Sequence, residues 1–350
     1  MIKVLVVEDS AVSQQLLVHL LGKDPGIRVI GTAGNGEEAI AFLAKQKPDV
    51  ITMDIHMPVL DGIEATRKIM ETEPVPIVIV SAVWNPAEVA TTFRAMEAGA
   101  VALVEKPAGL GHPESQEQAR ALVQTVKNMA EVRVIRRRGL RPGAGAGGEG
   151  AAPPATRPNL RNIQVIVVGA STGGPPALRN LLAHLPPEMT VPILIVQHIA
   201  AGFLPGLADW LSAAGRPVEI AKQGTVPERG HVYLAPDGFQ MGLDEHGIIT
   251  LSSSPIENGL RPSVSYLFRS AAEVHGDRAV GIMLTGMGRD GAQELKLLHD
   301  RGAITFAQDR ESSVVHGMPG AAIRLDAATY ILSPDKIGGT VGALLRADQA

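Results

Sequence analysis

The chain has 350 residues and no cysteine, so disulfides, a thiol nucleophile and a thiolate zinc site are excluded. Aromatics make up only 3% of a sequence that is 45% hydrophobic, which calls for aliphatic cores. The net charge of −4 is a balance: about −6 for residues 1–132, +6 for 133–161 and −4 for 162–350, counting Lys and Arg against Asp and Glu. Neither large block is basic, so neither reads as a nucleic-acid binder, and no apolar run approaches the ~18 residues of a membrane span. The expectation is a cytoplasmic protein with no membrane insertion.

In chain order, the first block alternates strand and helix patterns. Apolar runs at Val4–Val7, Val29–Ala33, Val50–Met53, Ile77–Val80 and Val101–Val104 are each followed by a helical pattern. The last helix runs from about Gln116 to Val132. Five βα units predict a parallel sheet covered on both faces. From 133 to 161 the composition shifts to Arg, Gly and Pro, which cannot bury enough apolar surface to fold. We read it as a flexible linker. The second block opens again with strand, helix, strand at Val165–Val168, Pro176 onward and Ile193–Gln197. Val232–Ala235, Phe239–Gly242 and Ile248–Leu251 read as short antiparallel strands with a turn at Pro236-Asp237-Gly238. A helix at Val264–Val274, a strand at Ala279–Leu284, a helix at Ala292–Arg301, a strand at Ala303–Ala307 and a terminal helix near Asp335–Arg346 complete a second α/β pattern.

In a parallel sheet, ligands bind beyond the carboxyl ends of the strands. Glu8 and Asp9 end the first strand, Asp54 the third, Ser81 the fourth and Lys106 the fifth. Three converging carboxylates repel one another, and a hard divalent cation, most simply Mg²⁺, resolves that repulsion. Asp54 is then placed to attack a phosphoryl group, with Lys106 neutralising its oxygens and Ser81 hydrogen-bonding to it. Each acid taken alone is as readily a solvated loop residue or a helix cap.

These residues, in Val6–Ser10, Met53–Gly62, Val80–Ala82 and Glu105–Pro107, resemble the receiver domain of bacterial response regulators. The resemblance implies a flavodoxin-like (βα)5 fold and phosphorylation of Asp54 by a chemotaxis histidine kinase. It also implies Mg²⁺ held by Glu8, Asp9, Asp54 and the backbone carbonyl of His56. Leu103 stands where the family usually has an aromatic residue, which puts the aromatic rotamer switch in question.

In the second block, Gly169–Gly174 lies between a strand and a helix, with small residues that permit a sharp turn presenting Ser171. Helix N–H groups there are expected to face a developing oxyanion. A phosphate-binding P-loop is excluded, because Pro175-Pro176 stand where Lys-Ser/Thr is required. His198 follows the next strand and Asp290 a later one, so the three converge at one edge if those strands are parallel. Their chemistry then divides into nucleophile, general base and imidazole-orienting carboxylate. Bland alternatives stand beside this: a hydrogen-bonded structural histidine at 198, and an N-cap for the following helix at Asp290.

Gly169–Gly174, Val196–His198, Asn258–Val264, Leu284–Ala292 and Gly317–Pro319 resemble the catalytic domain of chemotaxis protein-glutamate methylesterases of the CheB type. The resemblance implies a doubly wound, mostly parallel α/β domain with a small antiparallel insertion, in a chain divided as receiver 1–132, linker 133–161 and catalytic domain 162–350. It implies a Ser171/His198/Asp290 triad, with Thr172 and the Met287 backbone N–H as oxyanion donors and Arg261 near the cleft. The implied substrates are methylated glutamates of chemoreceptors, with methanol released, no cofactor for the ester chemistry, and glutamine deamidation in some members. His316 stands where the family often has an aromatic residue. Phosphorylation is expected to uncover a cleft that the receiver otherwise closes. The rival readings are an inactive esterase-like binding protein, a DNA-binding response regulator and a nucleotide-binding domain at Gly169–Gly174.

Overall fold

The structure is a computed structural model that describes residues 1–81, 86–108, 115–132, 134, 162–213 and 215–348. Apart from Val134, the expected linker 133–161 lies outside the described residues. The chain divides into two compact units, Met1–Gly145 and Ala146–Ala350, each considered by itself. No helix among the described residues is long and apolar enough to cross a membrane.

The first unit comprises β1 (Ile2–Val7), α1 (Ala11–Gly22), β2 (Ile27–Ala33), α2 (Gly36–Leu43), β3 (Val50–Met53), α3 (Gly62–Thr72), β4 (Ile77–Ser81), α4 (Pro86–Ala98), β5 (Ala102–Glu105) and α5 (Ser115–Ala130). The five strands are parallel in the order β2-β1-β3-β4-β5, the flavodoxin-like winding. Strands β1, β3 and β4 are buried on both faces along most of their length, which is why they read as unbroken apolar runs. Helix starts are fixed by side chains: Ser10, Asn35 and Asp61 each accept the N–H three residues on. These caps lie in the loops at the carboxyl edge, so capping also shapes the loops that carry chemistry. Gly62 is required there, because a Cβ would lie 1.9 Å from the Asp54 carbonyl oxygen.

The second unit comprises β6 (Val165–Ala170), α6 (Gly174–Ala183), β7 (Ile193–Gln197), α7 (Leu204–Ser212), β8 (Val218–Ile220), β9 (Val232–Leu234), β10 (Gln240–Leu243), β11 (Ile249–Ser252), α8 (Val264–Val274), β12 (Ala279–Met283), α9 (Ala292–Asp300), β13 (Ile304–Gln308), α10 (Met318–Arg324), β14 (Tyr330–Leu332) and α11 (Pro334–Asp348). Seven strands form one parallel sheet, β14-β13-β12-β6-β7-β9-β8. Among the strands of the described residues, only β10 and β11 pair antiparallel, in a small separate sheet. The expectation of three antiparallel strands is therefore corrected: Val232–Leu234 lies parallel between β7 and β8. Its three residues are all buried, the signature of an internal parallel strand and not of a half-exposed hairpin. The core is aliphatic as expected, with Phe268 among the few rings in the layer under α8 and α9.

Candidate active site

Two sites form, one at each sheet's carboxyl edge. In the first unit, Val7 and Met53 are in register on β1 and β3, so Glu8 and Asp54 emerge side by side. Ser81 and Glu105 are in register on β4 and β5, which delivers Lys106 to the same edge. Its Nζ lies 2.8 Å from Glu8 Oε2 and 3.1 Å from Asp54 Oδ2. The other Asp54 oxygen, Oδ1, accepts the Ile55 N–H at 2.8 Å. Carboxylate oxygens of Glu8, Asp9 and Asp54 all lie within 4.8 Å of one another. Burial pushes the Glu8 carboxyl up, the Lys106 hydrogen bond opposes this, Asp54 repulsion adds to it, and the net direction is upward. Burial alone would lower Lys106, but its contacts with Glu8 and Asp54 outweigh burial and hold the ammonium charged. Ser81 is buried beside this edge, Asp9 and the His56 side chain are exposed, and Leu103 is half-buried on β5. All-oxygen donors crowded this closely are the chemistry of a hard divalent cation.

Gln14 was not anticipated. Its Nε2 donates to the carbonyls of Glu8 and Ala33, at 3.0 and 3.2 Å, and so ties the ends of β1 and β2 together.

In the second unit, Ala170 and Gln197 are in register on β6 and β7, so Ser171 and His198 leave neighbouring strands at the same level. The His198 N–H bonds to Ala170 O at 2.9 Å, and the Ser171 N–H bonds to Thr285 O at 3.0 Å. Thr285 follows β12, the strand on the other side of β6. Ser171 is thus held from both flanks. Gly286 is needed beside it, because a Cβ there would lie 2.8 Å from Ser171 Cβ and 2.3 Å from Met318 Sδ.

Asp290 is buried, and its Oδ2 lies 3.1 Å from His198 Nε2. The two atoms are close but not aligned as a hydrogen bond. With Nε2 turned to Asp290, Nδ1 is the nitrogen left to accept a proton. Asp290 does not cap α9, as the bland reading allowed; Gly291 occupies that N-cap. It binds the start of α8 instead, accepting Val264 N at 2.6 Å, Ser263 Oγ at 2.8 Å, Asn258 Nδ2 at 3.0 Å and Ser265 N at 3.4 Å. Ser263, the N-cap of α8, makes no capping bond of its own, because its hydroxyl serves Asp290. Burial works against the Asp290 charge, but the contacts with His198, Ser263 and Asn258 win and hold the carboxyl far below the usual carboxylate range.

One expectation needs correction. The first turn of α6 has no spare donor for an oxyanion: Pro175 and Pro176 lack N–H groups, and the Gly174 N–H is committed to Ser171 O at 2.7 Å. Thr172 and Met287, both partly exposed, flank Ser171 from the loops after β6 and β12. Arg261 is exposed and donates from Nη1 to the carbonyls of Ser253 and Ser254, at 3.1 and 3.2 Å. His316 forms an isolated bridge with Gly286, next to Ser171, and burial and Arg310 hold its imidazole below its ordinary pKa.

Residues 166–341 match the model of the CheB methylesterase family, and residues 4–113 match that of the response regulator receiver domain. A protein-glutamate methylesterase/protein-glutamine glutaminase of Nitrosospira multiformis is 54% identical over 346 residues, covering 99% of this chain and 97% of that one. A second, from Syntrophus aciditrophicus, is 52% identical over 342 residues, covering 96% of both. The crystal structure of the Thermotoga maritima CheB methylesterase catalytic domain matches with a TM-score of 0.50 at 34% identity, covering 53% of this chain and 98% of that one. A receiver sheet with its acidic edge, a seven-stranded sheet with serine and histidine at adjacent strand ends and aspartate in the loop after the next strand, and full-length identity above one half lead to one conclusion: the chain belongs to the receiver-bearing CheB protein-glutamate methylesterase/protein-glutamine glutaminase family.

Proposed function

We propose that this protein hydrolyses glutamate methyl esters on chemoreceptors, that it also deamidates receptor glutamines, and that phosphorylation of Asp54 by a chemotaxis histidine kinase raises its turnover. The observation that carries the reading is the meeting of Ser171, His198 and Asp290 at the ends of β6 and β7 and beyond β12. Ser171 Oγ attacks the ester carbonyl carbon while His198 takes the hydroxyl proton. Asp290 stabilises the imidazolium and is itself kept ionised by the start of α8. Charge on the carbonyl oxygen is met by Thr172 and by the Met287 N–H. Collapse of the tetrahedral adduct breaks the C–O bond, and His198 returns the proton to the leaving methoxide, giving methanol. Water, deprotonated by His198, then attacks the acyl-serine, releasing the glutamate carboxylate and restoring Ser171. With a glutamine side chain the same sequence releases ammonia. Arg261 binds at the rim of the substrate cleft. The ester chemistry uses the chain's own side chains.

In the receiver, Glu8, Asp9, Asp54 and the His56 carbonyl would hold Mg²⁺, which when bound neutralises phosphoryl oxygens. Asp54 Oδ attacks phosphorus as the P–N bond to the kinase's phosphohistidine breaks and its imidazole leaves; Lys106 offsets the charge that arrives and Ser81 hydrogen-bonds the phosphoryl group. Residues 1–132 form the receiver, 162–350 the catalytic domain, and the basic segment 133–161 links them. Methanol release from methylated receptor membranes, with and without a small-molecule phosphodonor, tests the whole reading. Turnover is expected to rise with phosphodonor, to be lost in Ser171→Ala, and to become insensitive to phosphodonor in Asp54→Ala. Full turnover by Ser171→Ala would move the nucleophile elsewhere.

A further inference from the structure

Gln197, the last residue of β7, is buried to all but 4% of its surface. Its Nε2 donates to Ser171 O at 2.9 Å and to His198 O at 2.8 Å. The amide orientation follows from chemistry, since both neighbours are carbonyl oxygens and only the nitrogen can serve them. One side chain therefore fastens together the backbones that carry the nucleophile and the base. Its Oε1 is buried with no hydrogen-bond partner among the described residues. It lies against Gly174, where a Cβ would come within 2.0 Å of it. The residues after Gly174 are Pro175 and Pro176, which have no N–H to offer it.

That orphan acceptor is informative. Leaving a buried polar atom unsatisfied is costly, so the unpaired Oε1 offsets part of what the two Nε2 bonds contribute to folding. Ser171 O keeps a second donor, the Gly174 N–H, without the glutamine. A methionine would remove the orphan Oε1 but leave His198 O without the amide donor, two changes that oppose each other in stability. We propose that Gln197 is a positioning residue: its amide sets the distance between Ser171 and His198, and it is kept for that alignment more than for stability. It touches neither substrate nor the reacting atoms. A shift of about 1 Å between nucleophile and base is enough to lower turnover ~100-fold.

This inference rests on the Ser171–His198 reading above. The test uses the full chain with Gln197→Met and Gln197→Glu. Gln197→Met is expected to lower kcat for methanol release, and the rate of Ser171 labelling by a fluorophosphonate probe, by about 10- to 100-fold. KM for methylated receptor membranes should stay unchanged, and Tm should change little. In Gln197→Glu the ionised carboxylate faces two carbonyls with no donor. Its kcat relative to wild type should recover as pH falls and the introduced carboxyl gains a proton to donate. A kcat for Gln197→Met within about threefold of wild type would overturn the proposal. So would a loss of folding, since that makes Gln197 an ordinary structural stitch. Undiminished labelling of Ser171→Ala would overturn the underlying nucleophile assignment instead, so the two failures are separable.

Discussion

At the edge of the first sheet, Glu8, Asp9 and Asp54 crowd three carboxylates around one ammonium, Lys106. At the corresponding edge of the second, Asp290 accepts from Ser263, Asn258 and two amides of α8, and faces His198. Both places are strand ends of parallel sheets, and both are built around an aspartate. The first leaves negative charge in excess, so it is suited to recruit a cation and an incoming phosphoryl group. The second satisfies its carboxylate before substrate arrives, so that charge is fixed in place to act on one imidazole. The surrounding donors, more than the aspartate or the fold, separate a site suited to modification from a site suited to catalysis.

Exchanging Asp290 for Asn attacks the satisfied site and should have the largest effect. The amide turns an NH2 group toward donors and cannot stabilise an imidazolium, so kcat should fall by about 10³–10⁴. Stability should fall by about 1–3 kcal/mol at neutral pH. Because the folded-state pKa of Asp290 lies below its unfolded value, its contribution is full above the unfolded pKa and is lost only as pH falls through the folded one. The stability gap between wild type and Asp290→Asn should therefore persist at pH 4 and close only in stronger acid, as read by denaturant titration. A gap already closed at pH 5 would contradict the hydrogen-bonded carboxylate.

The unsatisfied site should respond to cations. Mg²⁺ at 100 times its Kd should stabilise the protein by about 2.7 kcal/mol, seen as a raised thermal or denaturant midpoint. Asp9→Asn should reduce that shift and leave the Ser171 site unaffected in fluorophosphonate labelling. An equal shift in the variant would remove Asp9 from the cation site.

The smallest expected effect lies in the loop that follows Asp54. Val59 adopts φ +67° and is exposed, a left-handed backbone on a β-branched residue. That conformation costs about 1–2 kcal/mol. Val59→Gly should relieve it and give a net gain of about 0.5–1 kcal/mol after the extra unfolded-state entropy of glycine. Equal or lower stability would show that the loop carries no such strain.

The sequence was most informative where a strand run ended in a reactive residue. Apolar runs followed by Asp54, Ser171 and His198 marked both edges, because strands buried on both faces read as unbroken apolar runs. It was least informative where a side chain serves a distant backbone. Asn258 and Ser263 were visible as part of a motif, but their bonds to Asp290 span 32 and 27 residues and depend on how α8 meets the end of β12. Gln197 gave the only available hint, a polar residue closing an apolar strand. The parallel placement of β9 was hidden for another reason. A three-residue strand has too short a pattern to declare its neighbours, and the adjacent Pro236-Asp237-Gly238 suggested a hairpin.

The seven-stranded order has a consequence for motion. Ser171, His198 and the Asp290 loop follow β6, β7 and β12, with two strands beyond them on either side: β13 and β14 one way, β9 and β8 the other. Sheet margins are where strands loosen first, and central strands open only in near-global unfolding. The reacting groups thus ride on the slowest-breathing part of the sheet. The outer strands form a buffer in which insertions and local opening need not reach the distance between serine and histidine. Amide hydrogen exchange should register that gradient as protection rising from Ile331 and Glu219 inward to Val168 and Ile195.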